Sequence, residues 1–342
     1  MKERKKKILE IIIRDYINTA EPVGSRTLSK RYDLKISPAT IRNEMADLED
    51  MGYLTQTHTS SGRIPTQKAY RYYVDEVMQI HKLTEIMRRD IHRGYLKNKK
   101  EISNTISHTA NVLSSLTNYT SVVLAPKITS FNCKHVQIVP LIRNRALLIC
   151  VTREGIAKNI EMSLSVEITT EQALKISAVL NAFLQNMNFS ELNVKFLNHI
   201  KELTVEESIL IQEILPQLKR ALIGDESEVH AEGLSNLFKH PEFNDVEKAK
   251  QVIRLVEQKP LLARILQNED DQQIIKISIG DENDDENLKE FSIITTTYEV
   301  GGTPIGAFGI IGPTRMNYSN VTSVLDYLRK ELNVNLKKIL LE

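Results

Sequence analysis

The sequence predicts a multidomain α+β protein, and three observations support this prediction. The chain has 342 residues, 41% of them hydrophobic, which is enough for two or three domains with substantial cores. The first 80 residues have the pattern of short amphipathic helices followed by two short extended runs. From residue 120 onward, strand patterns come first, helical patterns follow, and strand patterns return before a closing helix at 320–341. We therefore expect a small N-terminal domain and a larger body that contains an insertion.

Positive charge is concentrated in the N-terminal part of the chain. Residues 1–100 contain 21 Lys and Arg against 13 Asp and Glu, a net charge of +8, whereas the remaining residues have a net charge of −7. A basic region attached to an acidic body indicates that this region meets a polyanion such as a nucleic acid. The alternative is a basic surface that is simply solvated, and charge alone does not decide between the two.

The sequence disfavours export and membrane insertion. The basic start Met1–Lys7 resembles a signal peptide, but the apolar run after it is short and is broken by Arg14 and Asp15. No apolar stretch approaches the roughly 18–20 residues that span a bilayer, so we expect no membrane partner and a cytoplasmic location. Cys133 and Cys150 lack metal-ligand spacing and are interpreted as small core residues without a structural disulfide.

No motif indicates catalysis, a metal or a cofactor. The histidines are scattered, and neither a G-x-S-x-G nor a Cys/His nucleophile pattern occurs. Residues 281–287 begin like a calcium-binding loop, but Glu286 occupies the glycine position and Ser292 the closing glutamate position. The glycines of 301–312 lack the Lys and Ser/Thr of a phosphate loop. We therefore expect a solvated hairpin loop at 281–287 and no enzyme.

The first 36 residues predict two helices and a turn. Apolar residues recur on one face of a helix from Lys2 to Thr19, and lysines crowd its start. Positive charge there opposes the helix dipole, which favours either an external phosphate partner for the lysines or simple solvation. Ser25 is expected to cap a second helix from Arg26 to Tyr32. A tight turn then leads to a third helix, so this part resembles a helix-turn-helix.

The third helix has the pattern of a helix that reads DNA. Ser37 suits the N-cap and Pro38 the first helical position, and Ile41, Met45 and Leu48 repeat on an inner face. The outer face carries small and hydrogen-bonding side chains, namely Ala39, Thr40, Arg42, Asn43 and Ala46. Asn and Arg can each read a base edge with two hydrogen bonds, and a helix N-terminus favours phosphate. We therefore expect the N-terminal half of this helix to enter a major groove.

Four carboxylates lie further along the same helix, where we expect them to repel phosphate: Glu44, Asp47, Glu49 and Asp50.

Two short extended runs, 53–56 and 63–66, predict a hairpin around a polar turn. A hairpin directly behind a recognition helix is the wing of a winged helix, and its tip reaches the DNA backbone or minor groove. The candidate DNA-contacting residues from the second helix, the third helix and the wing are Ser25, Arg26, Ser37, Ala39, Thr40, Arg42, Asn43, His58, Ser60, Ser61 and Arg63.

Three motifs extend this pattern to a resemblance with a known family. The segments Pro22–Leu28, Ser37–Met45 and His58–Thr66 resemble, in order and spacing, the signature of the HrcA family of heat-inducible transcription repressors. A simpler winged-helix regulator of the GntR type shares the Ser…Thr-x-Arg helix, but it is not expected to carry the His-Thr-Ser-Ser-Gly-Arg-Ile-Pro wing.

The remaining domains are assigned partly from pattern and partly from this resemblance. We expect a winged-helix domain over 1–80 that ends in a helix from Gln67 to Met78, and a basic helical linker over 81–104. The glycine-rich strand 301–312 and the long helix after it resemble the end of a GAF domain. The HrcA resemblance implies a GAF-like domain, placed at 105–164 and 226–342, that is interrupted by an inserted dimerisation domain at 165–225. The apolar helix faces of that insertion fit an interface or an ordinary core equally well.

The sequence thus favours a DNA-binding repressor, and other functions stay open as alternatives. The resemblance implies a homodimer on the CIRCE inverted repeat upstream of the groE and dnaK chaperone operons, help from the GroE chaperonin, and release on heat stress. A regulator that senses a metabolite through its GAF-like domain ranks second, because no charged, convergent pocket for a small-molecule ligand can be named. An enzyme or an RNA-binding factor ranks third, since catalytic motifs are lacking and the aromatic residues are not arranged on a sheet.

Overall fold

The computed structural model describes residues 1–32, 34, 36–56, 62–80, 82–97, 102–126, 133–152, 157–184, 204–223, 229–243, 250, 253–254, 257–266 and 274–341. Helices and sheets both occur in these ranges, so the prediction of a mixed α+β protein is confirmed. The chain divides into two compact units. One comprises Met1–Lys97, Ile106–Leu124 and Val229–Val334, and the other comprises Asn98–Thr105, Ala125–Glu228 and Asn335–Glu342.

Residues 1–80, which we call the head, contain helices around a small core and one hairpin. The elements are α1 (Glu3–Thr19), α2 (Ser25–Arg31), α3 (Pro38–Asp50), β1 (Leu54–Gln56), β2 (Arg63–Pro65) and α4 (Gln67–Tyr72), followed by a π-helical turn over Tyr73–Val77. The apolar stripes of the first three helices meet in the core, where Ile12, Leu28 and Ile41 are fully buried. β1 and β2 pair antiparallel, as expected of the hairpin.

The second helix begins one residue earlier than its sequence pattern suggests. Ser25 is the first residue of α2 rather than its cap, and Gly24 occupies the N-cap position without a side-chain hydrogen bond. The expected capping role of Ser25 is therefore wrong, because the extended backbone ends at Gly24.

The segment after the head contains α5 (Glu85–Lys97) and α6 (Ile102–Thr117). The two helices pack through Tyr95, whose hydroxyl lies 2.6 Å from that of Thr109 and whose ring lies edge-to-face with His108. α5 also contacts the long C-terminal helix, α10 (Tyr318–Leu341), since His92 lies 3.1 Å from Glu331. The basic segment is therefore a packed helix over the residues that the structure describes.

A five-stranded antiparallel sheet, which we call the body sheet, forms the rest of the first unit. Its strands are β3 (Thr120–Leu124), β7 (Val229–Glu232), β8 (Ile275–Ile279), β9 (Phe291–Val300) and β10 (Thr303–Pro313), in the order β7-β3-β10-β9-β8. Gly301 and Gly302 both have positive φ in the tight turn between β9 and β10. The apolar side chains of α9 (Lys259–Leu266) join the core of this sheet.

The second unit is built on a separate three-stranded sheet. Its strands β4 (Cys133–Pro140), β5 (Arg145–Thr152) and β6 (Ala157–Ser163) pair antiparallel, and α7 (Thr170–Leu184) and α8 (Val205–Ile223) supply the rest of its core. The insertion expected at 165–225 thus includes α7 and α8 but not β4, β5 and β6, which pair with one another and not with the body sheet. Cys150 is buried in this core.

Candidate nucleic-acid interface

The N-terminus of α3 is held by the cap that the sequence predicts. Ser37 has extended backbone angles, and its Oγ accepts a hydrogen bond of 3.1 Å from the backbone N–H of Thr40. The Thr40 hydroxyl lies 2.9 Å from the same Oγ, and Pro38 begins the helix. Pro38 has no N–H, and the N–H groups of Thr40 and Ile41 are bonded to Ser37. The N–H of Ala39 is thus left at the helix N-terminus, where an anion would be stabilised.

The outer face of α3 is accessible in the structure. Ala39, Arg42 and Asn43 are exposed, whereas Ile41, Met45 and Leu48 on the opposite side are buried in the head core. Within the described residues, no ion pair involves Arg42. The side chains with the largest capacity to read bases therefore lie on the free side of the helix, near its capped end.

The carboxylates of α3 are largely neutralised by cations from other elements. Lys5 Nζ lies 2.7 Å from Asp47 Oδ2 and 3.8 Å from Glu44 Oε2, and Arg4 lies 3.5 Å from Glu44. The hydrogen bond to Asp47 raises the pKa of Lys5. Lys5 is thus engaged with α3, which gives it a partner inside the chain in addition to the phosphate partner considered from the sequence. Its pairing also reduces the repulsion that these carboxylates would exert on DNA.

Arg63 lies at the base of the hairpin and supports it. Its backbone pairs with that of Val23 through two hydrogen bonds of 2.9 Å, and its guanidinium lies 2.8 Å from Glu49 Oε2 of α3. A Cβ at Gly62 would lie 2.5 Å from the Val23 carbonyl carbon, so only glycine allows this close approach. In this conformation the Arg63 side chain is 19% exposed. It therefore joins β2 to α3.

Of the other candidate residues, the structure describes Ser25 and Arg26 but not the three expected near the wing tip. Arg26 is exposed on the first turn of α2, and Ser25 beside it is half-buried. His58, Ser60 and Ser61, expected near the wing tip, lie outside the described residues. The structure thus brings the α3 residues and Arg63 into one substructure.

A buried carboxylate that the sequence analysis did not single out joins the first two helices. Asp15 Oδ1 of α1 accepts hydrogen bonds from Arg31 at 2.5 Å and from the Tyr32 hydroxyl at 3.0 Å. Its side chain is 9% exposed, and its hydrogen bond raises the pKa of Arg31. The only sequence signal is an acidic residue on the otherwise apolar stripe of α1, which does not reveal its partners.

The described residues contain no group of three or more His, Cys, Asp or Glu side chains arranged to hold a metal ion. None of the helices in the described ranges is long and apolar enough to cross a membrane. The acidic segment 281–287 connects the antiparallel strands β8 and β9 and is mostly exposed, as expected of a solvated hairpin loop. It also contains parts of two short 3₁₀ turns and the buried Asn283.

Comparisons with known proteins point to one family. The HrcA protein C terminal domain model matches residues 103–322. A heat-inducible transcription repressor HrcA from Alkaliphilus metalliredigens is 41% identical over 338 residues, which is 98% of each chain. Proteins of the same description from Desulforamulus reducens and Clostridium tetani are 42% and 41% identical over 99% and 98% of this chain, and over 98% and 96% of their own.

A solved structure described as a hypothetical protein at 2.2 Å resolution covers 99% of both chains with a TM-score of 0.64 and 21% identity, which is a likeness of fold alone. The family match extends over more than half of the chain, and the named relatives are similar along nearly their whole length. The chain belongs to the HrcA family of heat-inducible transcription repressors, which regulate transcription and are not enzymes.

Proposed function

We propose that this chain represses heat-shock chaperone operons of the groE and dnaK type by binding a CIRCE inverted repeat as a homodimer. The observation that carries the proposal is the capped N-terminus of α3 with Ala39, Arg42 and Asn43 exposed beside it. An exposed helix of this kind enters the major groove, where Arg reads guanine and Asn reads adenine with two hydrogen bonds each. The family membership supports the same assignment.

The head acts as a winged-helix DNA-binding domain. α3 supplies the base contacts, while the N–H of Ala39 at its N-terminus and the exposed Arg26 contact phosphate. His58, Ser60 and Ser61 are assigned to the wing tip. The Arg63 side chain can contact DNA only if its ion pair with Glu49 breaks. We therefore assign Arg63 the role of supporting the wing.

The second compact unit is the site of dimerisation in this proposal, inserted into a GAF-like body. The apolar residues of α7 and α8 fall into a buried and an exposed group. The side chains of Leu174 and Ile209 are 59% and 44% exposed, and the buried core residues are Leu180, Leu210, Ile214 and Leu218. Lys175 and Glu207, which form an ion pair of 2.8 Å, join α7 to α8 beside these two residues. The exposed apolar side chains therefore form the surface that a second copy would cover.

Heat release and the partner that controls it are part of the same proposal. Folded domains are stable by only about 5–15 kcal/mol, so a repressor needs little destabilisation to lose its operator on heating. We assign the GroE chaperonin the role of returning the cytoplasmic repressor to its DNA-binding form. Unfolded proteins that occupy the chaperonin would then relieve repression.

The test is a gel-shift titration with the purified chain on a CIRCE duplex and on a scrambled duplex of equal composition, at several salt concentrations. We expect specific binding to exceed non-specific binding by roughly 10³-fold or more. A temperature ramp with and without GroE tests the second part, and we expect binding to fall on heating and to recover with the chaperonin. Equal affinity for the two duplexes would reject the proposal.

A further inference from the structure

The acidic connection between β8 and β9, residues 280–290, has a shape that its own hydrogen bonds fix. The buried side-chain amide of Asn283 donates to the backbone carbonyls of residues 280, 288 and 291 at 2.9, 3.0 and 3.0 Å. Glu282 Oε2 accepts a hydrogen bond of 2.8 Å from the backbone N–H of Ile279. This stretch, which only half-resembles a calcium loop, is therefore a rigid platform that presents the Glu282 carboxylate.

Arg71 of the head binds this platform. Its Nε donates to Glu282 Oε1 at 2.8 Å, a terminal nitrogen donates to Glu282 Oε2, and the same nitrogen donates to the Ile277 carbonyl at 2.6 Å. Paired hydrogen bonds between Arg and a carboxylate fix geometry as well as supplying energy. The Arg71 side chain is 31% exposed, so the pair lies at the edge of the contact between the head and the platform.

Gln67, one helical turn before Arg71, forms two side-chain hydrogen bonds with the backbone of the same platform. Its Oε1 accepts from the N–H of Asp281 at 2.8 Å, and its Nε2 donates to the carbonyl of Lys289 at 3.2 Å. Gly280 has a φ of +55°, and a Cβ there would overlap the Gln67 carboxamide. We call Gln67, Arg71 and Glu282 the clasp.

A second attachment holds the other end of the head. Arg315 donates to the carbonyl of Ile17, in the last turn of α1, at 2.5 Å, and Glu242 binds the same guanidinium at 2.6 and 3.3 Å. A cation at a helix C-terminus is stabilised by the helix dipole. α1 contacts both α3 and α4. These attachments, together with the hydrogen bond from the Ser319 hydroxyl to the Gln79 carbonyl, therefore fix the direction in which α3 faces.

We propose that Arg71 and Glu282 are positioning residues for operator recognition, because the clasp sets the orientation of α3 and thereby the half-site spacing that the repressor accepts. This inference rests on the proposed function. A two-fold dimer reads two half-sites whose separation must match the separation of its recognition helices. A head held by the intact clasp accepts one spacing, whereas a head without the Arg71–Glu282 pair is held less firmly and accepts several.

The experiment compares the full-length chain with the variant Arg71→Met on three DNA duplexes: the CIRCE repeat, the same repeat with the spacer lengthened by about half a helical turn (about 5 bp), and an isolated half-site. For the parent chain we expect at least a tenfold loss of affinity on the lengthened repeat. For Arg71→Met we expect that loss to shrink to about threefold or less, with half-site affinity unchanged.

Lys330→Met is the control for loss of a surface cation. It removes the ion pair of Lys330 with Asp326 on α10, whereas Arg71→Met removes the pairs of Arg71 with Glu282 and with Asp75. Lys330→Met should keep the full spacing discrimination of the parent chain. Glu282→Gln provides a second variant that breaks the clasp while keeping the size of the side chain. The exchanged pair Arg71→Glu with Glu282→Arg should restore discrimination, which a merely structural loss would not.

The two proposals fail in different ways. If Arg71→Met and Glu282→Gln both discriminate between spacers as strongly as the parent chain, the positioning role is wrong while operator recognition stands. If the parent chain binds the CIRCE repeat no better than scrambled DNA, operator recognition itself is wrong. A melting temperature measured for each variant confirms that the comparison is made between folded proteins.

Discussion

Arg42 and Asn43 are adjacent, exposed side chains on α3 that can each form two hydrogen bonds with one base. Their neighbours on the helix have other tasks. Ile41 is fully buried in the head core, and Glu44 is paired with Arg4 and Lys5. Reading bases and holding the helix in place are thus assigned to different residues, so a substitution on the outer face should affect recognition without unfolding the head.

We expect Asn43→Ala or Arg42→Ala to cost about 1–3 kcal/mol in specific operator binding, because one bidentate base contact is lost. Binding to scrambled DNA should change little for Asn43→Ala. Competition gel shifts with both duplexes measure the difference. Asp50→Asn, at the far end of the same helix, is the control and should keep its sequence discrimination; an equal loss in that variant would contradict the assignment.

Asp15→Ala should destabilise the contact between α1 and α2 by about 1–3 kcal/mol, since Arg31 and Tyr32 lose a buried charged acceptor. Hydrogen exchange of the α1 and α2 amides reports this local free energy. Glu10→Ala removes a more exposed pair with Arg14 on the same helix and should cost at most about 0.5 kcal/mol. Similar losses in the two variants would show that the buried carboxylate has no special role.

At the scale of elements, the packing of α5 on α6 depends on the charge state of His108. The ring lies edge-to-face with Tyr95, and its Nε2 is buried with no hydrogen-bond partner among the residues that the structure describes. Burial lowers the pKa of His108 below its ordinary value of 6.5. The folded chain therefore keeps this ring neutral, whereas the unfolded chain protonates it as the pH falls through 6.5.

This linkage predicts that stability is fully present above about pH 6.5 and declines as the pH falls from there toward the lower pKa of the folded state. Burial lowers the pKa of His240 as well, so its contribution has the same sign. We expect the drop in melting temperature between about pH 7.5 and pH 5.5 to be smaller in His108→Asn than in the parent chain. His135→Asn, at an exposed histidine, serves as the comparison. If the melting temperature of His108→Asn falls as much as that of the parent chain, His108 does not cause this pH dependence.

At the scale of the whole molecule, the proposed function requires two heads on one operator, and the exposed apolar side chains of α7 and α8 are the proposed contact. Leu174 and Ile209 should therefore be needed for assembly but not for folding of the second unit, whose core lies on the other faces of these helices.

We expect Leu174→Lys or Ile209→Lys to shift the chain from dimer to monomer in sedimentation velocity at micromolar concentration, because the buried charge would be unpaired. Operator affinity should then fall by about 10²-fold or more, since the second half-site no longer binds intramolecularly. Ile142→Lys is the matched control, at a residue that is 77% exposed on the β4–β5 turn. A dimer that persists in both helix variants would place the interface elsewhere.

Much of the head follows from local sequence. The Ser37–Pro38 start of α3 and its buried and exposed faces depend on capping chemistry and a period of 3.6 residues, which act within one turn of the chain. The residue pattern also predicts the hairpin, the body strands other than β7, and the closing helix, whereas a helical pattern was expected from His230. Patterns of this kind do not reveal which strands pair, and the strands of 133–163 therefore form a sheet of their own that was not anticipated.

The sequence by itself determined α3, its cap and its exposed face, because each depends on neighbours a few residues away. Only the tertiary structure decided that Lys5 binds Asp47, that Arg63 binds Glu49 and that Arg71 binds Glu282. The sequence offers several carboxylates as possible ion-pair partners for each of these cations. The choice is made by the packing of helices and loops that are distant along the chain, since an ion pair forms only where the folded backbone brings the two charges within a few ångströms of each other.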